Sequence, residues 1–151
     1  MLARTVRLAA GLILCAVLPF QAAGCSDSSP TAPSNYAPFS QQDIRVGTGD
    51  EAVNGLLLKI NYTGWFYDAS VADHRGVQFA TSVESGAAEF VLGTGGVIEG
   101  WEKGVPGMKV GGLRRLVIPP SLAYGMSRYS AIPPNVTLIF DVELVSAVTP
   151  E

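Results

Sequence analysis

The sequence predicts an α+β domain in which an antiparallel β-sheet wraps its apolar face over one short α-helix. Segments Leu56–Tyr67 (LLLKINYTGWFY), Leu113–Ile118 (LRRLVI) and Thr137–Val145 (TLIFDVELV) alternate apolar and polar residues, the period of half-buried strands. Only Ile98–Val105 carries a helical signature: Val97, Trp101 and Val105 fall four apart on one face, and Gly104 and Pro106 end the segment. Strands with one apolar face need a cover, and the single helix is the element available to supply it, with Trp101 as its main anchor.

The N-terminal segments read as an export signal followed by a tether. At 151 residues the chain has room for one domain with a core of its own. Residues 1–24 read as a signal peptide: Arg4 and Arg7 precede the uncharged run Leu8–Phe20, which falls short of the ~20 residues a membrane span needs. Small residues Ala22-Ala23-Gly24 follow, then Cys25. AAGC resembles a bacterial lipobox, in which the cysteine is lipidated and becomes the new N-terminus; the alternative is an ordinary signal cleaved near Ala23 or Gly24. The lipobox reading implies an exported lipoprotein anchored at a membrane, on the periplasmic or outer-membrane face, or on the cell surface where there is one membrane. Cys15 would leave with the signal and Cys25 would carry lipid, so no thiol remains for a disulfide, a redox pair or a metal. Loss of Arg4 and Arg7 leaves an acidic protein with no Lys/Arg cluster beyond Arg114-Arg115, which argues against a nucleic-acid partner.

Residues 25–41, rich in Ser, Pro, Ala and Asn, read as a flexible tether, and the domain spans residues 42–151. Within it, Leu56, Leu58, Ile60 and Tyr62 share one face of the first strand and Lys59, Asn61 and Thr63 the other. Asp68–Gln78 reads as an exposed loop and Glu89–Leu92 as a shorter strand. Gly93–Gly96 reads as the turn into the helix. In the last strand Leu138, Phe140, Val142 and Leu144 face inward while Asp141 and Glu143 face out.

Familiar enzyme chemistries find no residues. The single histidine, His74, lies in a polar segment without a GxSxG turn, and reads as a solvated surface residue. Gly93-Thr94-Gly95-Gly96 fails a dinucleotide fingerprint at Ile98, and no GK[ST] follows. Scattered Asp and Glu lack metal-ligand spacing, so neither a metal nor a cofactor is expected. What remains is a binding module, or an enzyme that needs no acid, base or nucleophile.

Three stretches narrow that choice: NYTGWFYD (Asn61–Asp68), VIEGWEKGVPGMKVGGLRRLVIPPSLAYG (Val97–Gly125) and IPPNVTLIFDVELV (Ile132–Val145). Together they resemble the FKBP-type peptidyl-prolyl cis-trans isomerases, in family order and nearly family spacing, from about Gln42 to Val145. The resemblance implies proline-containing polypeptide clients, macrolide ligands and a monomer. It implies that Trp101 floors a proline pocket, that Tyr62, Phe79, Tyr124 and Phe140 wall it, and that Val97, Ile98 and Ile132 line it. The Ile98 N–H and the Tyr124 hydroxyl correspond to hydrogen-bond donors.

Departures from the pattern fall around the pocket. Ala80 stands where the family typically has an aspartate, and the segment after it lacks the arginine that usually accompanies that carboxylate. Ala88 replaces an aromatic and would widen the cleft. Asp68–Gln78 is longer than in minimal members and is expected near the pocket rim, and the flap after Gly125 is about one residue shorter, with Arg128 or Tyr129 placed to overhang the cleft. The implied reading is an isomerase for exported proteins, its turnover open to reduction by Ala80. The alternative is a non-catalytic proline-peptide binding or holdase module on the same fold.

Overall fold

The computed structural model describes residues 35–83 and 85–150. The expected signal peptide at 1–24, Cys25 and the expected tether up to residue 34 lie outside the described residues. Six strands form one sheet: β1 (Ser40–Arg45), β2 (Leu57–Tyr67), β3 (Arg75–Thr81), β4 (Ala88–Val91), β5 (Leu113–Ile118) and β6 (Leu138–Val148). Their order is β1-β5-β6-β2-β3, every pairing antiparallel, and β4 joins the outer edge of β2. That edge is shared, because β4 pairs with Leu57–Ile60 and β3 with Thr63–Tyr67.

The helix α1 is Glu99–Gly104, with Ile98 and Val105 as its flanking caps. It is shorter than the expected Ile98–Val105, since these two residues only flank it: Ile98 has an extended backbone (φ −61°, ψ 146°) while its carbonyl accepts from Glu102 N–H, and Val105 closes the last turn by donating to Trp101 O. Gly100 and Gly104, four apart, press against β5: a Cβ on Gly100 would sit 2.4 Å from Ile118 Cγ2, and one on Gly104 would sit 2.5 Å from Leu116 Cδ2. Glycine is therefore what lets the helix backbone approach the sheet. Trp101 (6% exposed) and Val105 join Leu58, Ile60, Leu116, Ile118, Phe140 and Leu144 in one core.

Two features differ from the sequence-based expectation. The fold begins before residue 42: Phe39 packs on the core, the Ala37 N–H donates to Thr137 Oγ1 at 3.2 Å, and β1 starts at Ser40. The insertion Asp68–Gln78 is a loop only as far as His74, and Arg75 opens β3. Its turn is tied down locally. Asp68 accepts bonds from Ser70, Asp73 holds Arg75, and Arg75 lies over Trp65, 5.0 Å from the ring centroid. His74 is exposed and stacks on Tyr67.

One buried cation braces the helix end. Arg114 is on the inner face of β5 with Leu116 and Ile118, 7% exposed. Its guanidinium donates to both carboxylate oxygens of Asp43 (2.6 and 3.1 Å), to Gly104 O (2.8 Å) and to Pro106 O (3.1 Å). The last carbonyl of α1 and that of Pro106 just beyond it thereby gain a donor, and β1, the end of α1 and β5 are joined at one point. The Arg114 bond holds the Asp43 carboxyl below its ordinary range.

Candidate functional site

The site is an open cleft of about 380 Å³ where the helix start, β2, β3, β6 and the flap converge. That volume lies in the range of small-ligand pockets, roughly 300–1,000 Å³. All eight residues expected to form the pocket line it: Tyr62, Phe79, Val97, Ile98, Trp101, Tyr124, Ile132 and Phe140. Ala80, Gly96, Tyr129, Ser130 and Ala131 complete the lining.

Each wall has a local cause. Trp101 is held edge-on by Tyr62 (centroids 5.2 Å apart) and Phe140 (5.3 Å), and Phe90 backs it at 5.9 Å. Phe79 meets Phe140 edge-on at 5.6 Å and stacks on Phe66. Glycine in the Tyr62-Thr63-Gly64 stretch makes this possible, since a Cβ on Gly64 would lie 2.8 Å from both Phe140 and Phe79. Edge-to-face packing of this kind fixes ring orientation beyond what area alone provides.

Tyr62 is pinned by Ser82, which occupies the gap between β3 and β4. The Tyr62 N–H donates to Ser82 Oγ (2.8 Å) and the Ser82 N–H donates to Tyr62 O (2.9 Å), with Ser82 only 2% exposed. The glycine turn before the helix is held by the helix itself: Gly93 and Gly95 N–H groups donate to the Glu102 carboxylate at 2.7 and 2.9 Å. The concavity that resembles a phosphate loop is thus filled by an internal carboxylate, and its role is to deliver Val97 and Ile98 to the cleft.

The cleft is nearly free of charge. Its lining holds no carboxylate, imidazole, amine or guanidinium; its titratable side chains are the phenols of Tyr62, Tyr124 and Tyr129. Burial, and to a lesser degree Tyr129 and Tyr62, push the Tyr124 hydroxyl above its ordinary value, so it stays protonated as a donor. Among the described residues no acceptor meets the Ile98 N–H, the Tyr124 hydroxyl or the buried Trp101 Nε1.

One expectation about the periphery is corrected. None of Asp68–Gln78 lines the cleft, because the loop lies at the far end of the β2–β3 hairpin from Phe79 and Ala80. Ala88 packs against the core and is not itself part of the lining. Of the two flap candidates Tyr129 lines the cleft, while Arg128 is exposed outside it. Ser82 and Glu102, which set the geometry of the walls, carried no sequence signal, since each acts through backbone groups distant in the chain.

An antiparallel sheet over one short helix, with an uncharged aromatic cleft where the helix begins, offers a place for a small apolar ring. Comparison with known proteins agrees. The sequence profile of the FKBP-type peptidyl-prolyl cis-trans isomerases matches residues 49–145. An FK506-binding protein of Neisseria meningitidis serogroup B is 41% identical over 106 residues, covering 69% of this chain and 91% of that protein. FK506-binding protein 4 of Neurospora crassa is 47% identical over 105 residues, covering 68% of this chain, but the match spans only 21% of that longer protein. Among solved structures, FkpA from Escherichia coli superposes with a TM-score of 0.62 at 37% identity, over 74% of this chain and 48% of that one. AtFKBP13 superposes with a TM-score of 0.61 at 35% identity, over 72% of this chain and 91% of that one. The chain belongs to the FKBP-type peptidyl-prolyl cis-trans isomerase family.

Proposed function

We propose that this protein accelerates cis-trans rotation about X-Pro bonds of exported polypeptides and so assists their folding. The observation that carries the reading is the cleft: an aromatic floor and walls, and unpaired donors at its edge, with no carboxylate, imidazole, amine or thiol in its lining. Rotation about the bond faces a barrier of roughly 18–20 kcal/mol, because twisting removes amide resonance. The planar amide is more charge-separated than the twisted one, so transfer into an apolar cleft disfavours the ground state relative to the transition state. Trp101 receives the pyrrolidine ring, Tyr62, Phe79 and Phe140 exclude water from its sides, and the Ile98 N–H and Tyr124 hydroxyl hold substrate carbonyls.

A second reading, a non-catalytic proline-peptide binding or holdase module, is favoured by one feature. Ala80 leaves the cleft without an oriented carboxylate, and among the described residues no protein group bonds the Tyr62 hydroxyl. NMR exchange spectroscopy on a short X-Pro peptide separates the two. Exchange well above the peptide's own rate, reduced in Trp101→Leu, supports the isomerase. Background exchange with saturable shifts supports the binding module, and recovery in Ala80→Asp would trace the loss to that position.

The relatives' names extend the ligand range to the macrolide FK506, which we expect to compete with the peptide for this cleft. The protein, a monomer as the family resemblance implies, is tethered to a membrane through lipid on Cys25, and the anchor is supported by the basic, apolar and small-residue order of residues 1–24. Cys25→Ser is expected to abolish lipid incorporation and release the protein from membranes; membrane retention of that variant would refute the anchor.

A further inference from the structure

The Tyr62 hydroxyl is a donor that nothing in the protein holds. Among the described residues no group bonds it, and it is not sealed in the core, since the one buried side-chain nitrogen or oxygen without a partner there is Trp101 Nε1. Tyr62 is half-buried and lines the cleft, so its hydroxyl meets the open space of the cleft. The rest of the residue is fixed. Its N–H and its carbonyl both bond Ser82, and its ring packs edge-on against Trp101 and Phe140, with centroids 5.2 and 6.1 Å away. A donor at the end of a ring held in this way is aimed before any ligand arrives.

Ala80 is the reason the hydroxyl is free. Ala80 pairs with Gly64 and Thr81 with Thr63, which makes Ala80 the diagonal neighbour of Tyr62 on the face that lines the cleft. Diagonal positions of an antiparallel pair lie about 7–8 Å apart, within reach of a longer side chain but not of a methyl group. No other lining residue brings a carboxylate to compete for the phenol. The second phenol, Tyr124, is held by the flap instead. It stacks on Tyr129 at 4.4 Å, and the Tyr129 turn is closed by reciprocal backbone bonds with Ile132 (3.2 and 2.9 Å). Only Tyr62 of the two packs on Trp101, the floor on which the pyrrolidine ring rests.

The chemistry of the twisting bond says what such a donor does. In the planar amide the nitrogen lone pair is delocalised into the carbonyl, and oxygen is the acceptor. As the bond twists, the pair returns to the nitrogen, which becomes an acceptor only near the transition state. A donor that meets a carbonyl serves both states, whereas one that meets the nitrogen serves the transition state alone and raises kcat. We propose that the Tyr62 hydroxyl is a catalytic donor to the prolyl nitrogen, released for that role by Ala80. No proton is transferred: the hydrogen bond forms as the lone pair appears and is lost as the amide becomes planar again. The proposal rests on the cleft being the proline site.

The test uses the full chain in detergent and a short blocked X-Pro peptide, with NMR exchange measured over a range of peptide concentrations to separate kcat from KM. Tyr62→Phe keeps the ring that Trp101 and Phe140 hold and removes only the oxygen. It should lower kcat about tenfold, the worth of one hydrogen bond made only in the transition state, and leave KM within about twofold. In an Ala80→Asp background the new carboxylate takes the hydroxyl, so there Tyr62→Phe should lower kcat less than about threefold. An unchanged kcat in Tyr62→Phe, a loss carried by KM, or an equal loss in both backgrounds overturns the proposal while leaving the isomerase reading in place. Exchange at the peptide's own rate with the native protein overturns both.

Discussion

Replacing Ser82 by alanine removes one oxygen from a buried position and leaves the Tyr62 N–H without its acceptor. The Ser82 side chain is buried at the break between β3 and β4, and its Oγ is the partner of that N–H at 2.8 Å. The reverse bond, Ser82 N–H to Tyr62 O at 2.9 Å, uses backbone alone and survives the substitution. The change therefore isolates one unsatisfied buried donor, which costs about 1–3 kcal/mol. Little cavity term is added, because only the hydroxyl is lost. For a folded unit of about 110 residues, a cost of about 2 kcal/mol lowers Tm by roughly 8–15 °C. Urea denaturation followed by Trp fluorescence measures the stability, and NMR exchange on an X-Pro peptide reports whether the Tyr62 wall has shifted. A variant within about 0.5 kcal/mol of the native protein would refute the claim that Ser82 satisfies this donor, since an ordinary surface change costs no more.

Three further outcomes are expected. Gly100→Ala forces a Cβ into Ile118 and should destabilise by about 1–3 kcal/mol in urea denaturation; a neutral effect would mean that the helix sits less closely on β5. The Asp43 carboxyl is held below its ordinary value by Arg114, so its contribution is complete above the unfolded value near pH 3.9 and is lost as pH falls through the lower folded value. Asp43→Asn should thus be less stable at neutral pH and show a shallower loss of stability in acid; parallel curves would refute the pairing. Glu102→Ala frees the Gly93 and Gly95 N–H groups, and should speed their hydrogen exchange and raise KM for peptide more than it lowers kcat, because the loop delivers Val97 and Ile98.

The strands legible in the sequence are those with one buried and one wet face. β2, β5 and β6 announce themselves by alternation, and in β5 the same alternation carries Arg114 inward, where its charge hides its place in the core. β1 (SQQDIR) gives no periodic signal because all six of its residues are exposed; backbone pairing with β5 alone defines it. β3 carries register shifts against β2 and opens with polar and small residues, so its first half reads as loop. The aromatic residues of the cleft were legible through the YTG, VIEGW, AYG and IPP stretches. What places Tyr129 on Tyr124 is a turn closed by backbone bonds, and what fixes Tyr62 is a hydroxyl twenty residues away in sequence. Neither has a local pattern to read.

The central claim is that an apolar aromatic cleft catalyses X-Pro rotation without proton transfer. Its most direct test is the pH dependence of catalysed exchange in one X-Pro peptide, followed by NMR between about pH 5.5 and 8, where carboxylate and imidazole catalysts reveal themselves. The titratable groups lining the cleft are phenols, Tyr124 is pushed further from that window, and His74 lies outside the lining. The account predicts exchange clearly above the peptide's own rate and flat across the window. A sigmoidal or bell-shaped profile, or no acceleration at any pH, would contradict it.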